Sequence, residues 1–285
     1  MNYFNENLSK IGFNLIEPSN ELKPYVQAFW TVKFEKFPFD FPLRILADGN
    51  SGLVINFASN FSLEINNKNN ICNDKFTFSP PSKYSAFVKA NGNIDIIGIR
   101  FNSAAVYRFF EKDISSFSDI SYSLNNNSKW QVDSLYQKLL QNFTIKEKIN
   151  IIELFLLNII KTSTKNNSYW IFDFINKIHE NKGNVIIEEL CKEFELNFRH
   201  VQRRFKIEVG LSAKTYAKII RIQETKNTLS SLNVESLTSL SYEKGFFDQS
   251  HFINEFKYFM GETPREYLKK KQEMAEKYFY KKYNQ

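Results

Sequence analysis

The sequence predicts an α+β chain: a small β-barrel or sandwich with helices after it, then an all-α domain of seven helices that carries two helix-turn-helix motifs. Three observations predict it. Residues 1 to about 101 hold short apolar runs separated by turn signals at roughly 8–12-residue spacing. From Phe101 onward the apolar spacing changes to that of helices. Near the C-terminus one helix-turn-helix pattern occurs twice, about 50 residues apart.

The strand-like runs are Gly52 to Phe57, Phe61 to Ile65, Phe76 to Phe78, Tyr84 to Val88 and Ile94 to Phe101. They are bounded by Asp48-Gly49, Asn66-Asn67, Pro80-Pro81 and Asn91-Gly92, each a turn-forming pair. Ser103 to Glu111 reads as a short helix with Ser103 as its N-cap, and Lys129 to Asn142 as a second carrying Trp130, Leu135, Leu139 and Leu140 at helical intervals. Lys146 to Lys161 is the most apolar helix of the chain. Its stripe of Ile149, Ile152, Leu156 and Ile160 is flanked by Ile151, Leu154, Phe155 and Ile159, wider than one domain core usually covers. Two readings stand: a helix packed between the barrel and its neighbours, or a dimerisation helix presenting Ile149, Ile152, Leu156 and Ile160.

The polar run 163–168 has the composition of a linker and separates an N-terminal domain, 1–162, from a helical domain, 169–270, with a basic tail, 271–285, beyond. The seven helices are expected over Trp170 to Glu180, Ile186 to Phe194, Asn197 to Val209, Ser212 to Ser230, Val234 to Lys244, Gln249 to Met260 and from Thr263 onward. Asn197, Ser212 and Asp248 serve as N-caps, Gly183 ends the first helix, and Pro264 sits in a first turn, where its missing N–H costs nothing.

Composition narrows the partner. The chain has 285 residues, a formal charge of +7, 42% hydrophobic residues and 16% aromatics with 29 Phe, which describes a folded protein that favours a polyanion. The positive charge is segregated. Arg199, Arg203, Arg204 and Lys206 fall on one helix, while Glu188, Glu189, Glu193 and Glu195 precede it. Two distant cysteines support neither a disulfide framework nor a metal knuckle and fit a reducing compartment. With no apolar leader and no apolar run of membrane-spanning length, the expectation is a cytoplasmic protein that does not engage a membrane.

A helix that enters the major groove buries one face on its support and turns donors toward base edges and phosphates. In the first unit Phe198, Val201 and Phe205 form the buried side. Asn197, Arg199, His200, Gln202, Arg203 and Lys206 are left to meet DNA, with Arg199, Gln202 and Arg203 the preferred base readers, because Arg and Gln make two-pronged bonds to guanine and adenine. In the second unit Phe252 and Phe256 are buried, and Gln249, Ser250, His251, Asn254 and Lys257 remain available. This helix is far less cationic, so weaker or more sequence-tolerant contact is expected. No catalytic residue, cofactor or metal site is expected.

Residues 170–270 resemble the DNA-binding domain of AraC/XylS-family transcription regulators. The resemblance rests on Leu211-Ser212 after Gly210, on Tyr216, Arg221 and Leu229, on Gly245-Phe246 with Asp248, Phe252 and Phe256-Lys257, and on Gly261, Thr263-Pro264 and Tyr267. Asn254 stands where the family usually has arginine, Leu268 replaces the common arginine after Tyr267, and Phe247 adds bulk to the turn. Leu22, Pro24-Tyr25-Val26, Phe29-Trp30, Asp48-Gly49, Leu53 to Phe57 and Gly98-Ile99-Arg100-Phe101 are similar to the cupin-like sensor barrel found in the same family.

The resemblance implies a transcription regulator, an activator by family precedent. Its two helix-turn-helix units would grip successive major-groove segments of promoter DNA. It also implies an N-terminal domain that binds a small-molecule effector or a protein partner, a homodimer, and contact with RNA polymerase. Candidate effector residues are Trp30, Arg44, Asn56, Tyr84 and Arg100, polar or aromatic residues within the barrel region. A metal-dependent cupin enzyme fails on inventory, since all three histidines lie at or beyond residue 179. A barrel that answers only to a protein partner is the remaining alternative.

Overall fold

The computed structural model describes residues 13–283 apart from 36–42, 46, 59–60, 66–67, 73, 91, 111, 118–120, 125–129, 142 and 232–235. The N-terminal strands pair antiparallel into two sheets. The larger holds β1 (Phe13–Ile16), β2 (Val26–Phe34), β9 (Ile94–Phe101), β4 (Gly52–Asn56), β7 (Phe76–Ser79) and β10 (Tyr122–Ser123), in that order. The smaller holds β3 (Leu43–Ile45), β8 (Ala86–Ala90), β5 (Phe61–Ile65) and β6 (Lys68–Cys72). Among the described residues no ladder joins the two sheets, so the expected barrel is open: two sheets facing each other rather than a closed ring.

Period-two alternation gives the larger sheet two apolar faces. Phe29, Leu53, Ile55, Phe76, Phe78, Ile97, Ile99 and Phe101 form one face, packed with the helices that follow. Trp30, Val32, Phe34, Val54, Ile94 and Ile96 form the other, in one cluster with Phe61 of the smaller sheet. Trp30 pairs with Gly98 across β2 and β9, and its ring occupies the place of a side chain there: a Cβ on Gly98 would lie 1.9 Å from it. That close approach requires glycine.

Two short 3-10 helices, Ala105–Arg108 and Ile114–Ser116, lead to α1 (Val132–Leu139) and α2 (Ile145–Thr162). Ser103 does not cap the first of them, contrary to expectation. Its hydroxyl bonds the Gly49 carbonyl, Asn50 and the Tyr216 hydroxyl instead. Thr144 begins α2 with a capping box, exchanging bonds with Glu147. Ile149, Ile152, Leu156 and Ile160 are all buried in the N-terminal core, which accounts for the apolar stripe by packing within the domain. A contact between copies along α2 would have to use the opposite side, where Leu154 is 61% exposed.

The helical domain follows its expected boundaries closely: α3 (Ile171–Glu180), α4 (Ile187–Glu193), α5 (Phe198–Val209), α6 (Ala213–Ser230), α7 (Leu237–Glu243), α8 (Gln249–Met260) and α9 (Pro264–Tyr283). The side chains of Asn197, Ser212 and Asp248 each accept a backbone N–H in the first turn, and Ser236 does the same for α7. The run beyond Lys270 continues α9 rather than forming a separate tail.

The segment 163–168 is tied down. The buried Glu208 carboxylate of α5 accepts bonds from the Asn167 amide at 2.8 Å and from the Ser168 N–H and hydroxyl, the latter at 2.6 Å.

Candidate nucleic-acid interface

The two helix-turn-helix units correspond in sequence, with one more residue in the turn of the second. In each, the first helix ends in a residue with left-handed backbone, Glu195 at φ 53° and Gly245 at φ 73°. The next N–H then folds back onto a carbonyl of that helix, Leu196 to Cys191 at 2.8 Å and Phe246 to Ser241 at 2.9 Å. Asn197 and Asp248 cap the second helices by accepting from His200 and His251. Val201 and Phe205 in one, Phe252 and Phe256 in the other, are fully buried against the supporting helices. Gly210 and Gly261 close both helices in the left-handed conformation.

Burying these residues fixes what faces solvent. On α5 the exposed stripe is Arg199, Arg203 and Lys206, spaced i, i+4, i+7, with His200 exposed and Gln202 half-buried beside it. On α8 the same spacing gives Ser250, Asn254 and Lys257. The stripes match position for position and differ in chemistry. Three cations stand on the first, one on the second.

Several expected contact residues have partners within the protein. The Asn197 side-chain oxygen is engaged in the cap, and Gln249 Oε1 accepts from Thr238 at 2.8 Å. His251 Nδ1 accepts from the Phe247 N–H at 3.3 Å, and its ring meets Phe246 edge-on. His251 therefore holds the turn. Phe198, assigned to the buried side by its sequence position, is 39% exposed at the start of α5. Arg204, the fourth cation of the basic segment, turns inward to Glu208 at 2.7 Å and to the Ser168 hydroxyl.

The second unit is anchored through the connecting helix. Arg221 of α6 donates to the Gly245 carbonyl at 3.0 Å and to Glu255 at 2.6 Å, and lies over the Phe246 ring. Lys218 also pairs with Glu255. Burial works to raise the Glu255 carboxyl, but Lys218 and Arg221 together hold it below the ordinary carboxylate value.

Of the candidate effector residues, Trp30 faces the space between the sheets and stacks on Phe13. Asn56 is the last residue of β4: its side chain accepts the Ala58 N–H and its carbonyl accepts the Tyr136 hydroxyl. Arg100 pairs with Asp48 and Gln27. Tyr84 lies outside the strands, tilted against Tyr258 of α8. The Arg44 side chain lies outside the described residues. The four described residues have separate partners and do not converge on one site.

Tyr84 instead belongs to a seam between the domains that sequence reasoning missed. Tyr216 of α6 bonds Ser103 at 2.8 Å and His179 of α3 at 2.9 Å, with its ring against Gly49. Gln223 donates to the Ala47 carbonyl, Ser85 to the Phe259 carbonyl at the end of α8, and Gly210 closes on Ile114. The N-terminal domain thus touches α5, α6 and α8 while the polar stripes of α5 and α8 stay exposed. Single residues in turns carry most of these contacts, so no periodic signal announced them.

Among the described residues no group of three or more His, Cys, Asp or Glu side chains could hold a metal ion, and no helix is long and apolar enough to cross a membrane. A helix-turn-helix domain family matches residues 190–270, and a domain family of unknown function, DUF6597, matches residues 14–123. The HTH-type transcriptional activator RhaS of Klebsiella pneumoniae is 29% identical over 79 residues, and the match covers 28% of each chain. Among solved structures, ToxT from Vibrio cholerae aligns at a TM-score of 0.45 with 14% identity over 84% of this chain and 97% of that one. A probable AraC family transcriptional regulator from Rhodopseudomonas palustris aligns at 0.33 with 26% identity over 36% of this chain and 97% of its own.

Proposed function

We propose that this chain is a transcription regulator of the AraC family, an activator that lays α5 and α8 into successive major-groove segments of one promoter site. The observation that carries this reading is the pair of matched stripes, Arg199/Arg203/Lys206 and Ser250/Asn254/Lys257, each on a capped helix whose opposite face is buried. In this arrangement Arg199, Gln202 and Arg203 read bases in the first segment. Lys206 and Lys257 pair with phosphates, and Ser250, Asn254 and the free amide hydrogens of Gln249 read the second segment.

The N-terminal domain acts on this reading head as a sensor for a small effector or a partner protein. Support comes from the seam: any shift of the Asp48-Gly49 turn or of the loop at Ser85 moves directly against α6 and α8. From the promoter-bound position the protein contacts RNA polymerase, and it works as a homodimer. The test is selection of bound sequences from random DNA with the full-length protein at several salt concentrations. An asymmetric motif of about two helical turns is expected, paired where dimers bind. Binding that falls with salt and yields no motif at any concentration would overturn the reading.

A further inference from the structure

From their N-caps onward the two units correspond residue for residue, but the second has one extra residue in its turn. Glu195 and Leu196 correspond to Gly245 and Phe246, and the caps to Asn197 and Asp248, which leaves Phe247 without a counterpart. That residue is 84% exposed, although Phe246 before it is buried and Asp248 after it is fixed as a cap. The backbone around it is pinned by the Phe246 N–H on Ser241, by its own N–H on His251 and by the Asp248 cap. The turn therefore holds a bare aromatic ring outward, beside the end of α8 that leads into the groove.

We propose that Phe247 is a specificity residue that packs on the C5-methyl group of a thymine in the second major-groove segment. The proposal rests on the reading of α8 as a groove-entering helix. Phosphates and sugars offer little to an apolar ring, whereas among base edges in the major groove the thymine methyl is the apolar feature. The stripe of α8 has a single cation and no arginine, so its discrimination must come from short polar groups and apolar contact. A rigid ring in a fixed turn supplies such contact with few rotatable bonds to immobilise.

The test uses the full-length protein and a duplex recovered by the selection above. Each thymine of the second half-site is replaced in turn by deoxyuridine, which lacks only the methyl, and affinities are compared with those of Phe247→Ser. One thymine is expected at which losing the methyl weakens the unaltered protein about fourfold, the value of one buried methyl-sized group, and at which the variant is indifferent. If no thymine is methyl-sensitive in the unaltered protein, or if Phe247→Ser keeps the sensitivity, the proposal is overturned. A selected motif with no second half-site would instead strike the reading of α8, and the proposal with it.

Discussion

The first and second helix-turn-helix units share turn geometry, caps and buried faces, yet they are held in opposite ways. Arg204 ties the first unit outward to the interdomain segment, where Glu208 also gathers Asn167 and Ser168. At the position equivalent to Arg204, one turn back from the end of the helix, the second unit has the acid Glu255. It is gripped from inside by Arg221 and Lys218 of α6. The first unit is therefore cationic on its exposed stripe and coupled to the interdomain segment through α5 itself. The second carries a single cation on its exposed stripe and is coupled mainly to α6. Under the proposed function, affinity and regulation fall on the first unit, and the connecting helix orients the second.

The largest test of this contrast is to cut each anchor. Arg221→Ala removes the bond to the Gly245 carbonyl, the contact over Phe246 and one of the cations on a buried carboxylate. A loss of about 3 kcal/mol is expected, at the lower end for a broken buried pair because Lys218 remains. Arg204→Ala leaves the buried Glu208 with its Asn167 and Ser168 donors but without the cation it pairs with, and a loss of about 3 kcal/mol is expected there too. Thermal unfolding measures both, and hydrogen exchange should place the damage of the first variant in α7 and α8. Damage from both variants in the same elements would show that the anchors are not different in kind.

A smaller effect separates the stripes. Arg203→Ala should cost about 1–3 kcal/mol of DNA binding and relax preference in the first half-site. Asn254→Ala should cost less, and Asn254→Arg should tighten binding and steepen its salt dependence by about one phosphate contact. Titrations at several salt concentrations decide it. If Asn254→Ala is as damaging as Arg203→Ala, the charge difference between the stripes does not govern affinity.

The helical domain was legible because its signals are local. Caps at Asn197, Ser212 and Asp248, terminal glycines and apolar residues at helical spacing each act within a turn or two, and they fixed the boundaries almost to the residue. The stripes followed from the same periodicity. The N-terminal domain depended on long-range pairing: β2, whose nine residues show little alternation, went unassigned, and its match to β9 is invisible along the chain. The α2 stripe was read correctly as apolar, but the sequence left open what covers it; the N-terminal core does. The inward partners of Arg204 and the bond His251 accepts from the Phe247 N–H had no signal along the chain, because Ser168 and Phe247 lie in irregular backbone. Glu195 shows the same limit. Its left-handed turn is the one Gly245 makes, with no glycine to mark it.

The smallest expected effect distinguishes the units by pH. Tyr216 and Tyr267 occupy equivalent first turns after the two reading helices, but Tyr267 bonds Ser230, whereas Tyr216 bonds Ser103 across the seam and His179 beside it. Burial pushes the His179 imidazole below its ordinary value of 6.5, against a weaker opposing pull from Glu224. The neutral ring is thus favoured in the folded chain, and the unfolded or undocked chain takes up a proton first. Its contribution is complete above pH 6.5 and declines as the pH falls through that value toward the depressed one. Hydrogen exchange at pH 7.5 and at pH 5.5 should show Gly49 and Asn50 losing protection while the Ser230 region changes less. In His179→Gln, which keeps a polar side chain but cannot titrate, the difference should disappear. Its persistence would mean that the seam responds to another group.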